Sequence, residues 1–213
     1  KTISDFASLV QSPERLRLLL CLTVADIRAV GPNIWNNWKA ALLRELYWRT
    51  EEMLTGASPG AGKADRVRAA QSALRDELKD WTDEAFAQHV EKGYPDYWLG
   101  LDTQTHARHA RLVDRAEKEG APLAVDTQVD PRRSVTEITI YTADHPGLFS
   151  RIAGAIAVSG ANIVDARIYT LANGMALDTF GIQDGEGKAV ERPDRLARLA
   201  VLIEQSLNGK LKT

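Results

Sequence analysis

The chain has 213 residues, enough for one large domain or two small ones, and 44% of them are apolar, which excludes global disorder. Its net charge of −2 argues against a general nucleic-acid binder, because such proteins carry a basic excess. No apolar run approaches the roughly 20 residues of a membrane helix, and no signal peptide opens the chain. The single cysteine, Cys21, is typical of a protein of the reducing cytoplasm.

The first part of the chain, residues 1–120, is predicted to be helical because apolar residues recur there at steps of three and four. The turn-forming stretch 56–62 predicts a break between two of these helices, and Thr82 predicts the N-cap of a short one. Residues 103–119 are rich in charge, so we expect a mostly solvated helix there. The stripe residues are Leu16, Leu19, Leu20, Ile27, Trp35, Trp38, Leu42, Leu46, Met53, Val67, Ala70, Leu74, Leu78 and Trp81.

The second part, residues 134–213, changes period and predicts the order strand, helix, strand, strand, helix. Asn173-Gly174 indicates a tight turn between the last two strands, and Pro193 fits the first turn of the last helix. This order is a ferredoxin-like βαββα(β) unit that lacks its last strand, so the whole chain is predicted to be α+β. We expect an unpaired sheet edge at residues 135–141, which favours self-association or cover by the helical half. Because the chain has no initiator Met and no final strand, both ends are expected to be cut from a longer protein.

A short loop, Asp144-His145-Pro146-Gly147-Leu148, joins the first predicted strand to the first helix of this unit. Asp144 can cap the helix, whose free N–H groups would suit an anion such as a carboxylate, and Gly147 would let a ligand approach the backbone. From composition alone, a tight strand-to-helix turn without a ligand is the favoured interpretation of this loop. Asn162 and Ile163 begin the next strand, away from this loop within one subunit, and could meet it only across a dimer.

Few other residues suggest a catalytic or metal-binding role. Asp26 lies in an otherwise apolar helix, where a carboxylate needs a partner, a metal or water, unless it caps the helix end. His106 and His109 are three residues apart, which permits joint metal binding, but a surface position is the preferred interpretation. His89 is interpreted as structural, and Cys21 as a buried apolar side chain.

Two longer stretches resemble a known family. Residues 18–54, LLLCLTVADIRAVGPNIWNNWKAALLRELYWRTEEML, resemble the end of the HD domain of bacterial protein-PII uridylyltransferase/uridylyl-removing enzymes. Residues 136–184, TEITIYTADHPGLFSRIAGAIAVSGANIVDARIYTLANGMALDTFGIQD, resemble the first of that family's two amino-acid-sensing ACT domains. Residues 94–98, YPDYW, are similar to the family's linker. The resemblance covers nearly the whole chain.

This resemblance implies a function for the parent protein. Such enzymes uridylylate the nitrogen regulatory PII protein, using UTP and Mg²⁺ or Mn²⁺, when glutamine is scarce, and they remove the uridylyl groups when it is plentiful. The chain would then hold the end of the HD domain and linker (1–120) and a truncated ACT domain (134–213), and it would be inactive alone. By resemblance, Asp26 matches a late metal ligand of the HD site. The positions that would hold the glutamine effector are Asp144, Gly147, Leu148, Asn162 and Ile163.

Two alternatives remain open at this point. An HD-type (p)ppGpp hydrolase also carries an ACT domain, although other domains separate the two in that family. A purely structural ACT module that serves dimerisation would have the same fold without an effector. A titration with amino acids would separate the sensing hypothesis from the structural one.

Overall fold

The computed structural model describes residues 2–31, 34–35, 37–56, 61–131 and 133–209. Its first compact unit, residues 1–72, contains three helices and the start of a fourth. They are α1 (Thr2–Val10), α2 (Pro13–Ala29) and α3 (Asn37–Thr55), and α4 (Ala61–Glu77) begins in this unit. Ser12 caps α2 by accepting a hydrogen bond from the Arg15 N–H at 3.2 Å, and Pro13 follows at the first helical position. The central residues of the predicted 56–62 break, 57–60, lie outside the described residues.

A small core holds this unit together where α1 and α2 pack against α3. Its members are Val10, Leu16 and Tyr47, with Phe6, Leu20, Trp48 and Leu54 packed around them. Leu16 and Leu20 therefore face the core as predicted, whereas Leu19 is 41% exposed. The side chain of Trp38, another residue of the predicted stripe, lies outside the described part.

The second unit, residues 73–213, begins with three helices that follow α4. They are α5 (Asp83–Lys92), α6 (Pro95–Gly100) and α7 (Thr103–Glu119). The predicted cap at Thr82 is confirmed, since its hydroxyl accepts from the Ala85 N–H at 3.2 Å. Asp102 caps α7 in the same way, and Gly120 ends that helix in the left-handed conformation.

A four-stranded antiparallel sheet forms the rest of this unit, with two helices, α8 and α9, on one face. The elements are β1 (Leu123–Asp130), β2 (Val135–Ala143), α8 (Leu148–Val158), β3 (Asn162–Arg167), β4 (Met175–Gln183) and α9 (Pro193–Leu207). The strand order is β1-β2-β4-β3. The core between sheet and helices consists of Ile138, Ile140, Leu148, Ile152, Ala155, Ile156, Ala161, Ala176, Phe180, Ile182, Val190, Leu199 and Ile203. The predicted α+β class and ferredoxin-like sheet are confirmed.

The predicted open edge of the sheet is wrong. β1 pairs with β2 along its full length, from Leu123 opposite Thr142 to Asp130 opposite Val135. Within the described residues no strand follows α9, so the position of the last ferredoxin-like strand is taken by a strand that comes before the first one. Leu123 and Val125 anchor β1 by packing against the core of the α8 and α9 face. The edge therefore needs neither a partner chain nor the helical half.

The other face of the sheet is covered by α7, which packs on β1 and β2. The prediction of a mostly solvated helix is therefore wrong, because eight of its residues are buried: Thr105, His106, Ala107, His109, Ala110, Leu112, Val113 and Ala116. The charged residues that suggested solvation occupy the remaining side of the helix. None of the helices in the described ranges combines the length and the apolar character that crossing a membrane requires.

Candidate effector site

The predicted effector loop lies between β2 and α8. Gly147 is the N-cap residue of α8 and has a φ of 86°, in the left-handed region that favours glycine. The Leu148 side chain is buried, and its N–H donates to the carbonyl of His145 at 3.1 Å. A ligand carboxylate would therefore meet the next N–H groups of the first turn of α8, which lie where a helix favours negative charge.

Asp144 does not cap α8, contrary to the prediction from sequence. Its carboxylate instead accepts a hydrogen bond of 2.7 Å from the hydroxyl of Thr170, and its N–H donates to the carbonyl of Gly174 at 3.2 Å. The segment between β3 and β4 thus holds Asp144 from two sides. The exposed Asp144 carboxylate keeps oxygen lone pairs that can accept from a ligand ammonium.

Asn162 and Ile163 lie at the opposite end of the sheet from this loop. Asn162 pairs with Gln183 at the end of β4, whereas Ala143, next to Asp144, pairs with Met175 at its start. Eight steps along a strand of about 3.3 Å each separate the two places by about 26 Å. One chain therefore does not bring the two halves of the predicted site together, which agrees with the expectation that they could meet only between subunits or domains.

A buried carboxylate near the loop was not singled out from the sequence. Asp178 is 2% exposed and lies on the side of β4 that carries Ala176 and Phe180, where it accepts a hydrogen bond of 3.3 Å from the Tyr169 N–H. Burial, followed by the repulsion of Asp144, raises the pKa of Asp178 to about 6. A carboxylate at a core-facing position of an alternating strand was the signal that could have identified it.

Aromatic and histidine side chains pack together between α5, α6, α7 and the sheet. This histidine–aromatic cluster consists of Trp81, His89, Tyr97, Trp98, His106 and His109. The predicted surface position of His106 and His109 is wrong, since each is 1% exposed. His106 Nε2 lies 3.1 Å from the Tyr97 carbonyl, and His109 Nε2 lies 3.2 Å from the Thr179 hydroxyl on β4. Burial lowers the pKa of both histidines, so they are neutral packing and hydrogen-bonding groups.

The described ranges do not fit a divalent metal. Asp26 is exposed on α2, and no group of three or more His, Cys, Asp or Glu side chains in those ranges is placed to hold an ion. Cys21, predicted to be buried, is exposed as well, because α2 is apolar on more than the side that faces α3. A metal site that includes Asp26 would need ligands other than those described.

A cleft of about 550 Å³ opens between α7 and the β1–β2 hairpin, but the described arginines that line it are already paired within the chain. Glu137 is 9% exposed and binds Arg108 at 2.7 Å and Arg133 at 3.1 Å, with Arg167 at 4.0 Å. Arg111 lies 3.8 Å from Asp80. These ion pairs join α7, β2 and β3, so we interpret them as structural.

The fold and the loop together define the class of the protein: a helical segment followed by a ferredoxin-like unit of the ACT type. No protein-family profile and no solved structure matches the chain. Several curated proteins do, all called bifunctional uridylyltransferase/uridylyl-removing enzyme. The relative from Azospirillum brasilense is 58% identical over 100% of this chain and 23% of its own length. Those from Gluconobacter oxydans and Rhodospirillum rubrum are 54% and 48% identical over 99% of the chain and 22% of their length.

The resemblance predicted from the sequence is confirmed over the whole chain. The chain spans less than a quarter of the length of the relatives it matches, whose names are those of enzymes. The division into a helical part (1–120) and a sensing part (134–213) stays a prediction. The chain divides into its two compact units after residue 72, inside α4, and α5 to α7 belong to the same unit as the sheet.

Proposed function

We propose that the chain is the regulatory middle of a bifunctional uridylyltransferase/uridylyl-removing enzyme that modifies the PII protein in response to glutamine. The observation that carries this proposal is the match of 58% identity along the full chain to a protein of that name. The (p)ppGpp hydrolase alternative is not favoured, because the relatives at 45% to 58% identity all carry the uridylyltransferase name. In this proposal UTP and Mg²⁺ or Mn²⁺ bind to catalytic domains of the enzyme that lie outside this chain. The enzyme works in the cytoplasm.

Glutamine, in this proposal, binds at the loop from Asp144 to Leu148. Its α-carboxylate meets N–H groups at the start of α8, and its α-ammonium meets the Asp144 carboxylate. The side-chain amide needs a donor and an acceptor, and the strand backbone near Asn162 and Ile163 of a neighbouring ACT domain supplies both. The separation of about 26 Å within one chain, eight steps of about 3.3 Å along β4, supports a composite site.

Calorimetry with glutamine tests the proposal on a protein extended through both ACT domains. Asp144→Ala should weaken binding by roughly 1–3 kcal/mol, the loss expected for a charged hydrogen-bond partner. Gly147→Val should abolish binding, because valine is strained at a φ of 86° and fills the approach to the backbone. Gly56→Val, which likewise replaces a glycine of positive φ but lies outside both halves of the proposed site, is the matched control and should bind normally. Unchanged affinity in both loop variants would show that the site lies elsewhere.

The alternative of a purely structural dimerisation module makes the opposite prediction for the same titration. It expects a stable dimer and no heat with any amino acid. In our proposal the 213-residue chain alone binds glutamine weakly, since half of the composite site belongs to another domain. It also neither adds nor removes uridylyl groups on PII, and either activity in the purified chain would contradict the proposal.

A further inference from the structure

The segment between β3 and β4 touches both the effector loop and the helices that precede the sheet. Its last four residues, Leu171–Gly174, form a tight turn that we call the β3–β4 turn. The Gly174 N–H donates to the Leu171 carbonyl at 2.9 Å, and the Leu171 N–H donates to the Met175 carbonyl at 2.7 Å. Leu171 is buried at 3% exposure, so the turn is anchored rather than projecting into solvent.

Two residues of this segment, Thr170 and Gly174, hold the effector loop. Thr170 donates to the Asp144 carboxylate at 2.7 Å, and Gly174 accepts from the Asp144 N–H at 3.2 Å. The Thr170 hydroxyl bonds to one oxygen of the Asp144 carboxylate, and a ligand ammonium would bind the same carboxylate group. Occupancy of the loop would therefore draw negative charge away from Thr170 and weaken its hydrogen bond to Asp144.

The residue between these two contacts, Ala172, is bound to α5. The Ala172 N–H donates at 2.9 Å to the carbonyl of Lys92, the last residue of that helix. Carbonyls in the last turn of a helix lack partners within the helix, so this bond caps α5 from outside. The segment also contacts α6, because the Tyr169 ring packs edge-on against Tyr97 with centroids 5.3 Å apart.

A second set of contacts reinforces the connection. Asn173 donates to the Tyr141 hydroxyl at 3.1 Å, and that hydroxyl donates to the Glu117 carboxylate on α7 at 3.0 Å. Lys92 binds the same carboxylate at 2.6 Å through its ammonium group. The turn, the end of α5 and α7 thus share one network, and Lys92 takes part in it with both its backbone and its side chain.

We propose that the β3–β4 turn is a relay that transmits occupancy of the Asp144–Leu148 loop to the C-terminal end of α5. This inference rests on the proposed function for the identity of the effector, but the mechanical connection itself exists without ligand. Effector binding weakens the hydrogen bond from Thr170 to Asp144, shifts the turn and changes the hydrogen bond from Ala172 to Lys92. The signal then leaves the sheet through the helices that precede it, by differential contacts in two states.

Ala172→Pro tests the relay by removing the N–H that caps α5. Ala172 is the second residue of the turn, where proline is favoured, and it is not among the described residues with positive φ. Ala172→Ser keeps the N–H and is the matched control. The readout is residue-resolved amide hydrogen exchange of the 213-residue protein without ligand, with circular dichroism as the check of folding.

We expect Ala172→Pro to speed exchange in the last turn of α5 and at the Asp144 amide, each by roughly fivefold to tenfold, as for one lost hydrogen bond. Ala172→Ser should leave both regions unchanged. Thr170→Val tests the relay from the other end and should speed exchange in the last turn of α5 although it does not touch that helix. If Ala172→Pro speeds exchange only in α5, and Thr170→Val speeds it only at the effector loop, the relay is refuted. This result does not depend on any ligand.

A second arm adds glutamine to the same proteins. If the wild-type chain binds glutamine, exchange in α5 should change in the wild type and in Ala172→Ser, but not in Ala172→Pro, although that variant still binds. Binding by the wild type without any change in α5 would overturn the relay. Failure of the wild type to bind glutamine contradicts the proposed function alone, because the ligand-free arm has already decided the relay.

Discussion

His89 lies edge-on to Trp98 with ring centroids 6.1 Å apart, in an interior position where neither of its ring nitrogens has a hydrogen-bond partner in the described part of the chain. Burial, with smaller contributions from Lys92 and His106, lowers the pKa of His89 from 6.5 to about 4. Glu117 and Asp114 oppose the shift without cancelling it. Between these two pKa values the unfolded chain therefore binds more protons than the folded one, and the free energy of unfolding falls as the pH falls.

We predict that His89 lowers the free energy of unfolding progressively as the pH is lowered from about 7.5 to about 4.5, by an amount that approaches about 3 kcal/mol near pH 4. His89→Phe keeps the ring packing and removes the titrating group, so it should remove this part of the pH dependence. The pKa values of His106 and His109 are also lowered, so these residues contribute in the same direction, whereas Asp178 contributes in the opposite one. Urea unfolding at several pH values measures the effect. His145→Phe, at an exposed position, should keep the wild-type slope, and an unchanged slope in His89→Phe would contradict the prediction.

Asp178 should have the opposite pH dependence. Its pKa is raised to about 6 in the folded chain, from 3.8, so the folded chain binds more protons between these values. Its contribution to stability is therefore present at low pH and is lost as the pH rises through about 6, by about 3 kcal/mol in total. Asp178→Asn keeps an oxygen that accepts from the Tyr169 N–H and removes the buried charge.

We predict that Asp178→Asn raises the free energy of unfolding by about 1–3 kcal/mol near pH 7.5 and has a much smaller effect near pH 4.5. Asp126→Asn, which changes a half-buried carboxylate on β1, is the control and should change little at either pH. Equal destabilisation by Asp178→Asn at both pH values would contradict the argument. A carboxylate that is retained at such a cost beside the effector loop is a candidate for function, and the glutamine affinity of the same variant is worth measuring.

The sequence predicted the elements whose side chains alternate clearly. α8 and α9 each bury one face, and the strands β2 and β4 are buried on both faces. The period of the apolar residues in these four elements is sufficient to locate them. β1 was missed although Leu123, Val125 and Val129 alternate with polar residues, a period-2 pattern that could have identified the strand. Its residues are at most partly buried, so the pattern is weaker than that of β2 or β4. No local signal indicates that this strand fills the edge of a sheet formed by later residues, because that pairing is a property of the whole fold.

The wrong prediction for α7 has a different cause. Charged residues such as Arg108 and Arg111 dominate its composition, but they extend from one side of the helix, and the opposite side is buried under the sheet. Histidine on that side is neutral and packs as an aromatic, so a count of polar residues overestimates its exposure. At the candidate site, the sequence located Gly147 through its turn, whereas the partner of Asp144, Thr170, is 26 residues away and could not be inferred.

Glu137 should be a major determinant of stability in the second unit. It is 9% exposed and lies within reach of Arg108, Arg133 and Arg167, so its removal leaves three guanidinium groups without their shared carboxylate. We predict that Glu137→Gln lowers the free energy of unfolding by about 3–5 kcal/mol, the usual result of breaking a buried ion pair from one side. Urea unfolding near neutral pH measures this.

The control for that prediction is Glu186→Gln. Glu186 pairs with Lys188 at 2.9 Å, but both side chains are more than 70% exposed, so the loss should stay within about 1 kcal/mol. High salt should reduce the effect at Glu186 further and leave most of the effect at Glu137, since the buried pair is screened less. Equal losses in the two variants would show that the arginines around Glu137 find other partners.

β1 should be what keeps the sheet from pairing with other chains. A protein that begins at residue 134 lacks β1 and exposes the N–H and C=O groups of β2 that face β1 along eight residues, Val135–Thr142, together with the apolar surface that Leu123 and Val125 cover. An unpaired edge of this length and apolar character favours association with a second edge. We predict that this protein forms dimers or larger species in light scattering coupled to gel filtration.

A protein of residues 121–213 also lacks α7 but keeps β1. It therefore separates the effect of the exposed edge from that of the exposed sheet face, and it should associate less at the same concentration. If the two proteins associate equally, the uncovered face, and not the edge of β2, is responsible.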